Sequence, residues 1–173
     1  MLWILEIKSF STLMSTYLER YAWPHECFPD YQPPKDLSLI VVIPCFKELD
    51  LIGALESLSD CNYPSGKLLV IVVLNEPENV SKEIRKANEE TIRNLQRFQC
   101  DYPLLVTQKK LPQKKAGVGL ARKIGMDEAV RLYRKADKDG PIVCYDADCR
   151  CDANYLQEIE KAILGFSQAA EFG

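Results

Sequence analysis

The chain has 173 residues, which is enough for one domain and too short for two of ordinary size. Hydrophobic residues make up 47% and charged residues 27%, a composition typical of a globular protein rather than a disordered, collagen-like or multi-span membrane chain. With 22 basic and 25 acidic residues, the formal net charge of −3 argues against a protein that binds nucleic acids through general electrostatics.

The N-terminal residues 1–36 are predicted to form an amphipathic helix followed by a proline-rich, extended linker over residues 23–34. The apolar residues recur at helical spacing: Leu5, Phe10, Leu13, Met14, Tyr17 and Leu18. Glu6 and Lys8 interrupt the apolar run long before the roughly 20 residues that a membrane span requires. We expect the helix to pack on the domain; the alternatives are a partner-binding helix and peripheral attachment to the inner face of a membrane.

Seven cysteines are scattered along the chain, and the opening residues lack the basic region and cleavage site of a signal peptide. Cys149 and Cys151 form a C-x-C pair, but a single pair without a second one at ligand spacing is a weak indication of zinc. We therefore expect reduced cysteines in a cytoplasmic protein.

From residue 37 onward, short apolar runs alternate with stretches of helical period, and we predict a single domain over residues 37–173. The strands are predicted at 39–43, 68–74, 104–107 and 142–145, and the helices at 51–58, 80–98, 118–133 and 155–166. The buried stripe of the second helix is predicted to contain Ile84, Ala87, Ile92, Leu95 and Phe98. The alternation predicts an α/β fold: a three-layer, Rossmann-like sandwich with a mostly parallel sheet and the first strand in a central position.

Ligands of such sheets bind beyond the carboxyl ends of the strands, so the segments that follow the strands form the candidate site. These segments are residues 44–48, 75–79, 108–119 and 146–148. They offer carboxylates, lysines and a glycine pair, a combination that indicates a metal-bound phosphorylated ligand.

Asp146 and Asp148 flank Ala147 directly after an apolar run, so both carboxylates can project toward one ligand. Their oxygens suit Mg²⁺ or Mn²⁺, which would neutralise the charge on a departing nucleoside diphosphate. A D-x-D pattern alone is common, and the alternative is a turn aspartate followed by a helix N-cap. Asp152 is a suitable N-cap for a helix starting near Tyr155, which leaves the aspartate pair available for a cation.

Three segments, taken together, resemble the family 2 glycosyltransferases of the GT-A fold. LIVVIPCFKE resembles the opening strand and P-x-[YF]-[NK]-E signature of that family, with Pro44 and Glu48 at its ends. AGVGLARKIGMDEAV resembles its G-x-x-x-A-R-N-x-G-x-x-x-A helix, and IVCYDADC resembles its DxD strand. The segments occur in the order typical of the family, within residues 37–166.

The resemblance implies a nucleotide-diphosphate sugar donor, with a preference for UDP-sugars, and a saccharide, lipid-linked or other acceptor. It implies that Asp148 ligates Mn²⁺ or Mg²⁺ directly, that Asp146 lies on the ribose or sugar side, and that Arg122 lies near the base or the diphosphate. The donor-binding residues that it implies are Pro44, Phe46, Glu48, Asn75, Arg122, Asp146 and Asp148.

The chain also departs from the pattern of the family. Asn75 stands where the family usually carries an aspartate that reads uracil, and Lys123 replaces the usual asparagine. Only 25 residues follow Asp148, whereas the acceptor half of the family, with its catalytic base, normally follows the DxD strand. We therefore expect a donor-binding portion that lacks the acceptor half, and we assign no catalytic base.

Three other classes of protein are alternatives to a glycosyltransferase. A nucleotide-sugar-binding or partner-docking domain without transfer activity stays open. Phosphatases of the haloacid dehalogenase type also place D-x-D after a strand, but they need a downstream lysine and acidic pair for which the remaining residues leave no room. A dinucleotide-binding Rossmann domain is excluded because Arg122 occupies the position of the third glycine or alanine.

Overall fold

The computed structural model of the chain describes residues 10–48 and 50–171, with side chains over 13–48 and 50–163. Leu5, Glu6 and Lys8 lie outside the described residues. Within the described ranges, helices and strands follow one another as α1 (Phe10–Arg20), β1 (Leu37–Cys45), α2 (Leu51–Ser59), β2 (Lys67–Pro77), α3 (Lys82–Arg97), β3 (Leu104–Leu111), α4 (Val118–Ala136), β4 (Ile142–Cys144) and α5 (Tyr155–Glu171).

The strands form one parallel sheet in the order β3-β2-β1-β4, so that β1 lies between two neighbours. Val42 of β1 is in register with Ile71 of β2 and with Cys144 of β4. The predicted α/β fold and central first strand are therefore confirmed. The predicted strand near residues 142–145 ends at Cys144, although the Tyr145 N–H still donates to the Val42 carbonyl at 3.0 Å.

Helices cover both faces of the sheet, which confirms the three-layer arrangement. Odd-numbered β1 residues such as Val41 face α2, α3 and α5, where they pack with Leu55 and Leu156. Even-numbered residues such as Val42 face α4 and pack with Ile124. Because both faces are buried at the centre of the sheet, β1 and β2 are continuous apolar runs, whereas residues of the edge strand β3 alternate between half-buried and exposed.

Helix α4 lies unusually close to the sheet because small residues line its inner face. Ala121 and Ala129 are fully buried there. At Gly125, an added Cβ would come within 2.3 Å of the Val42 Cγ1 atom and 3.1 Å of the Val73 Cγ2 atom. The glycine and alanines of the predicted helix motif thus have a packing role: they set the distance between α4 and the sheet.

The N-terminal segment packs on the outer side of α4. Residues 23–34 contain no helix or strand, as expected for a linker, yet their backbone is anchored by Asp127 and Glu128 of α4, both of which are fully buried. Asp127 accepts hydrogen bonds from the Trp23 N–H at 2.6 Å and the Lys123 ammonium at 2.7 Å. Lys123, the departure from the usual asparagine, also donates to the Tyr21 carbonyl at 2.8 Å, so it binds the N-terminal segment.

Two local predictions are wrong in part. In α3, the fully buried side chains are Asn88, Thr91 and Leu95, while four of the five predicted stripe residues are only half-buried. The N-cap of α5 is Asn154 rather than Asp152, because the Glu158 N–H donates to the Asn154 carbonyl at 2.9 Å. In the described residues, no helix is long and apolar enough to cross a membrane.

Candidate functional site

Three predicted site residues, Pro44, Asn75 and Asp146, lie on one face of the sheet at its carboxyl edge. Val42 and Val73 face α4, and because strand side chains alternate, Pro44 and Asn75 two residues further on face the same way. Beyond β4, Tyr145 and Ala147 are buried in the core on the opposite face. Asp146 is exposed and lies on the α4 side, since Arg122 of that helix binds it, and Asp148 is exposed in the turn that follows.

Arg122 reaches this edge from the second turn of α4. Its Nη2 atom donates to the Asp146 Oδ1 atom at 2.6 Å, which joins the helix motif to the D-x-D segment. The Nε atom of Arg122 is buried and has no hydrogen-bond partner among the described residues. One donor of the guanidinium is thus engaged by Asp146, while another is available to a ligand.

The N-terminus of α4 opens onto the same edge. An added Cβ at Gly117 or Gly119 would meet no atom within 4 Å, so both positions face open space. Helix N-termini carry unpaired N–H groups and partial positive charge, both of which favour phosphate. Together with Arg122, this end of α4 provides an environment suited to an anion.

Asn75 lies at the end of β2 and is 1% exposed. Neither its Oδ1 atom nor its Nδ2 atom has a hydrogen-bond partner within the described part of the chain. Leaving a buried amide unpaired costs about 1–3 kcal/mol, so such groups call for an explanation. A ligand with both a donor and an acceptor, such as a nucleobase edge, would satisfy the two atoms at once.

Glu76, the next residue, was not among the predicted site residues. It is 2% exposed, accepts a hydrogen bond from the Asn88 Nδ2 atom at 3.1 Å, and lies 4.0 Å from the Lys110 ammonium. The signal that could have revealed it is Asn88, a polar residue in the inner stripe of α3. The contacts of Glu76 lie on the α3 side. They indicate a polar cluster that supports the end of β2 on the face opposite Asn75.

Glu48 and Phe46 are placed differently from the other predicted residues. Lys47 has a left-handed backbone with φ of 57°, which turns the chain after β1. The Glu48 carbonyl then accepts a hydrogen bond from the Thr91 Oγ1 atom of α3 at 3.4 Å, and Phe46 is half-buried. The contacts of Glu48 are therefore with the α3 side, opposite the face that carries Asn75 and Asp146.

The aspartate pair has the chemistry to hold a divalent cation. Asp148 is exposed, and Asp146 keeps one carboxylate oxygen beyond the one that Arg122 binds. Within the described residues, no three His, Cys, Asp or Glu side chains are grouped for a metal. Two carboxylates fit Mg²⁺ or Mn²⁺ where a substrate phosphate and water supply the remaining oxygens, which is the usual arrangement for Mg²⁺.

The fold is thus that of an α/β domain, with a candidate polar site at the carboxyl edge of its sheet. No protein family and no curated protein matches the chain. Its fold is similar to that of S. aureus TarS residues 1–349 in complex with UDP-GlcNAc, with 16% identity, a TM-score of 0.49 and coverage of 70% of this chain and 30% of that one.

The same TarS region in complex with UDP gives 18% identity and a TM-score of 0.45, again with coverage of 70% and 30%. Without a named ligand it gives 18% identity and a TM-score of 0.46, with coverage of 70% and 31%. The chain therefore spans less than a third of the length of these structures. At this level of similarity, function has to be argued from the residues of this chain.

Proposed function

We propose that this domain binds a nucleotide-diphosphate sugar at the carboxyl edge of the sheet and is the donor-binding portion of a glycosyltransferase similar to family 2. One observation carries most weight: that edge carries a buried amide without a partner and an arginine of α4 that binds the first of two exposed carboxylates. Each group matches one part of such a donor.

The base contacts Asn75, whose amide offers one donor and one acceptor to a pyrimidine edge. The diphosphate lies before the first turn of α4, where the helix N–H groups and the free Nε donor of Arg122 meet it. Pro44, at the end of β1, forms the floor between these two regions. A UDP-sugar fits this order, although asparagine selects uracil less strictly than aspartate does.

Asp148 and Asp146 hold the divalent cation, Mn²⁺ or Mg²⁺. When bound, it supplies the positive charge that stabilises the departing nucleoside diphosphate. Arg122 holds one oxygen of Asp146 through the 2.6 Å contact and leaves the other for the cation. The acceptor is a saccharide, lipid-linked or other hydroxyl compound, and we assign no residue of this chain as the base that activates it.

The test is metal-dependent binding of donors, measured by isothermal titration and thermal shift with UDP-, GDP- and dTDP-sugars, with and without Mn²⁺. Binding at a hundredfold excess over Kd adds about 2.7 kcal/mol to stability, which raises Tm by about 5–10 °C in a domain of this size. Asp148→Ala should abolish the dependence on Mn²⁺ without unfolding the protein, because Asp148 is exposed.

The matched control is Cys149→Ser, since Cys149 is the exposed neighbour of Asp148 and we assign it no part in donor binding. This variant should keep its affinity within about twofold. Equal losses in the two variants would indicate a structural role for the whole loop, and donor binding that ignores Mn²⁺ in the unaltered protein would contradict the proposed metal site.

A further inference from the structure

The loop that follows Asp148, residues 149–154, is fastened to α2 and its C-terminal extension. Arg150 donates to the Asp50 carboxylate at the start of α2. Further along, the Ala153 carbonyl accepts the Asn62 N–H at 2.7 Å. The position of the loop, and with it that of the neighbouring Asp148, depends on these contacts.

Two cysteine thiols meet in the middle of this contact. The Sγ atoms of Cys61 and Cys151 lie 3.4 Å apart, although 90 residues separate them in sequence. The Cys61 thiol also lies 3.3 Å from the Ser57 carbonyl, and the Cys151 thiol lies 3.6 Å from the same oxygen. Cys61 is 7% exposed and Cys151 is half-buried, so the pair lies at the rim of the core rather than inside it.

We propose that Cys61 and Cys151 are a reversible disulfide site, oxidised by exchange with a low-molecular-weight disulfide such as oxidised glutathione, and that the bond locks the loop of residues 149–154 onto α2. The sulfur atoms of a disulfide lie about 2 Å apart, so the bond requires them to approach by only about 1.4 Å. Side-chain rotation can supply such a movement without rearranging the backbone.

The exchange balances in two steps. The Cys151 thiolate attacks one sulfur of the small disulfide, which forms a mixed disulfide and releases one small thiol. Cys61 then loses its proton to solvent and attacks the Cys151 sulfur, so that the second small thiol leaves. In sum, the protein gives up two hydrogen atoms, and the small disulfide is reduced to two thiols.

The difference in burial between the two thiols sets the order of these steps. Burial, followed by the neighbouring Cys151, raises the pKa of Cys61, so Cys61 is a poor first nucleophile. Cys151 is the more accessible of the two and makes the first attack. Cys149 is exposed and lies two residues before Cys151, which makes it the natural control for reactivity without a partner.

The experiment equilibrates the full chain in glutathione buffers of increasing oxidised fraction, followed by alkylation and peptide mapping. We expect a linked Cys61–Cys151 peptide, an intact mass about 2 Da lower, and slower hydrogen exchange over residues 149–154. Tm should rise by about 5 °C or more, because the bond closes a long loop of the unfolded chain. Reduction with dithiothreitol should reverse all four changes.

Variants separate this disulfide from nonspecific oxidation. Cys149→Ser should keep the linked peptide, whereas Cys151→Ser should lose it and should still fold, because Cys151 is only half-buried. Cys61→Ala provides a second loss at the other end of the bond. A bond to Cys149, or full alkylation of Cys61 and Cys151 where Cys149 already carries glutathione, would overturn the proposal. None of these readouts requires donor binding, so they are independent of the proposed function.

Discussion

Two polar clusters adjoin helix α4, and they differ in how fully the protein satisfies their hydrogen bonds. On the outer side, Asp127 and Glu128 are fully buried, and each accepts hydrogen bonds from three groups. At the carboxyl edge, Asn75 is buried without a partner among the described residues, and Asp146 and Asp148 are exposed. A saturated cluster serves the fold, whereas an unsaturated one is suited to a ligand.

The difference has consequences for stability and for binding that can be measured separately. Removing a group from the outer cluster leaves buried donors unpaired and destabilises the fold. Removing a group from the edge leaves little unpaired, so stability changes little while ligand binding is lost. We therefore expect substitutions to differ in their effect on stability, from the largest loss in the outer cluster to the smallest at the edge.

The largest effect is expected for Asp127→Ala. This change removes the acceptor of the Trp23 N–H and the Tyr17 hydroxyl and one of the two acceptors of the Lys123 ammonium. Losing the hydrogen bonds of a fully buried carboxylate costs about 3 kcal/mol in the free energy of unfolding, which urea denaturation would measure. Glu89→Ala, at an exposed position of α3, is the control and should change it by less than about 0.5 kcal/mol. Similar losses in both variants would contradict the structural role of Asp127.

A second prediction contrasts the inner face of α4 with its open first turn. Gly125→Ala introduces a Cβ within 2.3 Å of the Val42 Cγ1 atom, so helix and sheet must separate. We expect a loss of about 1–3 kcal/mol in the free energy of unfolding. Gly119→Ala in the same helix meets no atom within 4 Å and should be neutral or gain up to about 1 kcal/mol. If Gly119→Ala were the more damaging change, the close packing would lie elsewhere.

Much of the fold, and the edge of the sheet that carries the candidate site, could be predicted from the sequence, because strands, helices and their order follow from local patterns. The apolar β-branched runs predicted β1 and β2, and the residues that follow each strand predicted the edge where Asn75 and Asp146 lie. The anchor of the N-terminal segment was missed, because its donors are backbone N–H groups of a segment without regular structure. Sequence patterns give no indication of where such groups bind.

Contacts between distant segments were likewise beyond local patterns. Asn88 was not among the predicted buried residues of α3, yet it is buried, because Glu76 at the end of β2 offers it a partner. The ligand-binding roles of seven residues remain predictions: Pro44, Phe46, Glu48, Asn75, Arg122, Asp146 and Asp148.

A third prediction follows the pH dependence of the outer cluster. Burial alone lowers the pKa of Lys123. The hydrogen bond to Asp127 and the charge of that carboxylate raise it by more, so the net pKa is raised. A group with a raised folded-state pKa stabilises the protein below its unfolded pKa, near 10.4 for lysine, and loses that stabilisation as the pH rises through the folded-state value. The contribution of Lys123 should therefore be constant through neutral pH and fall only in strong alkali.

Thermal unfolding of the unaltered protein and of Lys123→Met, followed from pH 6 to pH 11.5, would measure this contribution. The difference in Tm between them should stay constant up to about pH 10 and shrink above it. Subtracting one profile from the other removes the contribution of tyrosines away from Lys123, such as Tyr102 and Tyr133, whose pKa is raised by burial. A difference that already shrinks between pH 6 and pH 9 would show that a titratable group other than Lys123 controls the stability of the contact between the N-terminal segment and α4.

The smallest effect on stability, and the sharpest separation from binding, is expected for Asn75→Leu compared with Asn88→Leu. Both asparagines are buried, at 1% and 4% exposure, but only the Asn88 amide has a partner, in Glu76. Leucine at position 88 leaves the Glu76 carboxylate without that donor and should cost about 1–3 kcal/mol in the free energy of unfolding. Leucine at position 75 replaces an unpaired amide with an apolar group of similar size, so stability should stay unchanged or rise by up to about 1 kcal/mol.

Asn75→Leu should nevertheless weaken donor binding at least tenfold by titration, because the base loses both of its hydrogen bonds. If Asn75→Leu lost as much stability as Asn88→Leu, the amide of Asn75 would be satisfied in the free protein, and its unpaired state would no longer support a role in binding.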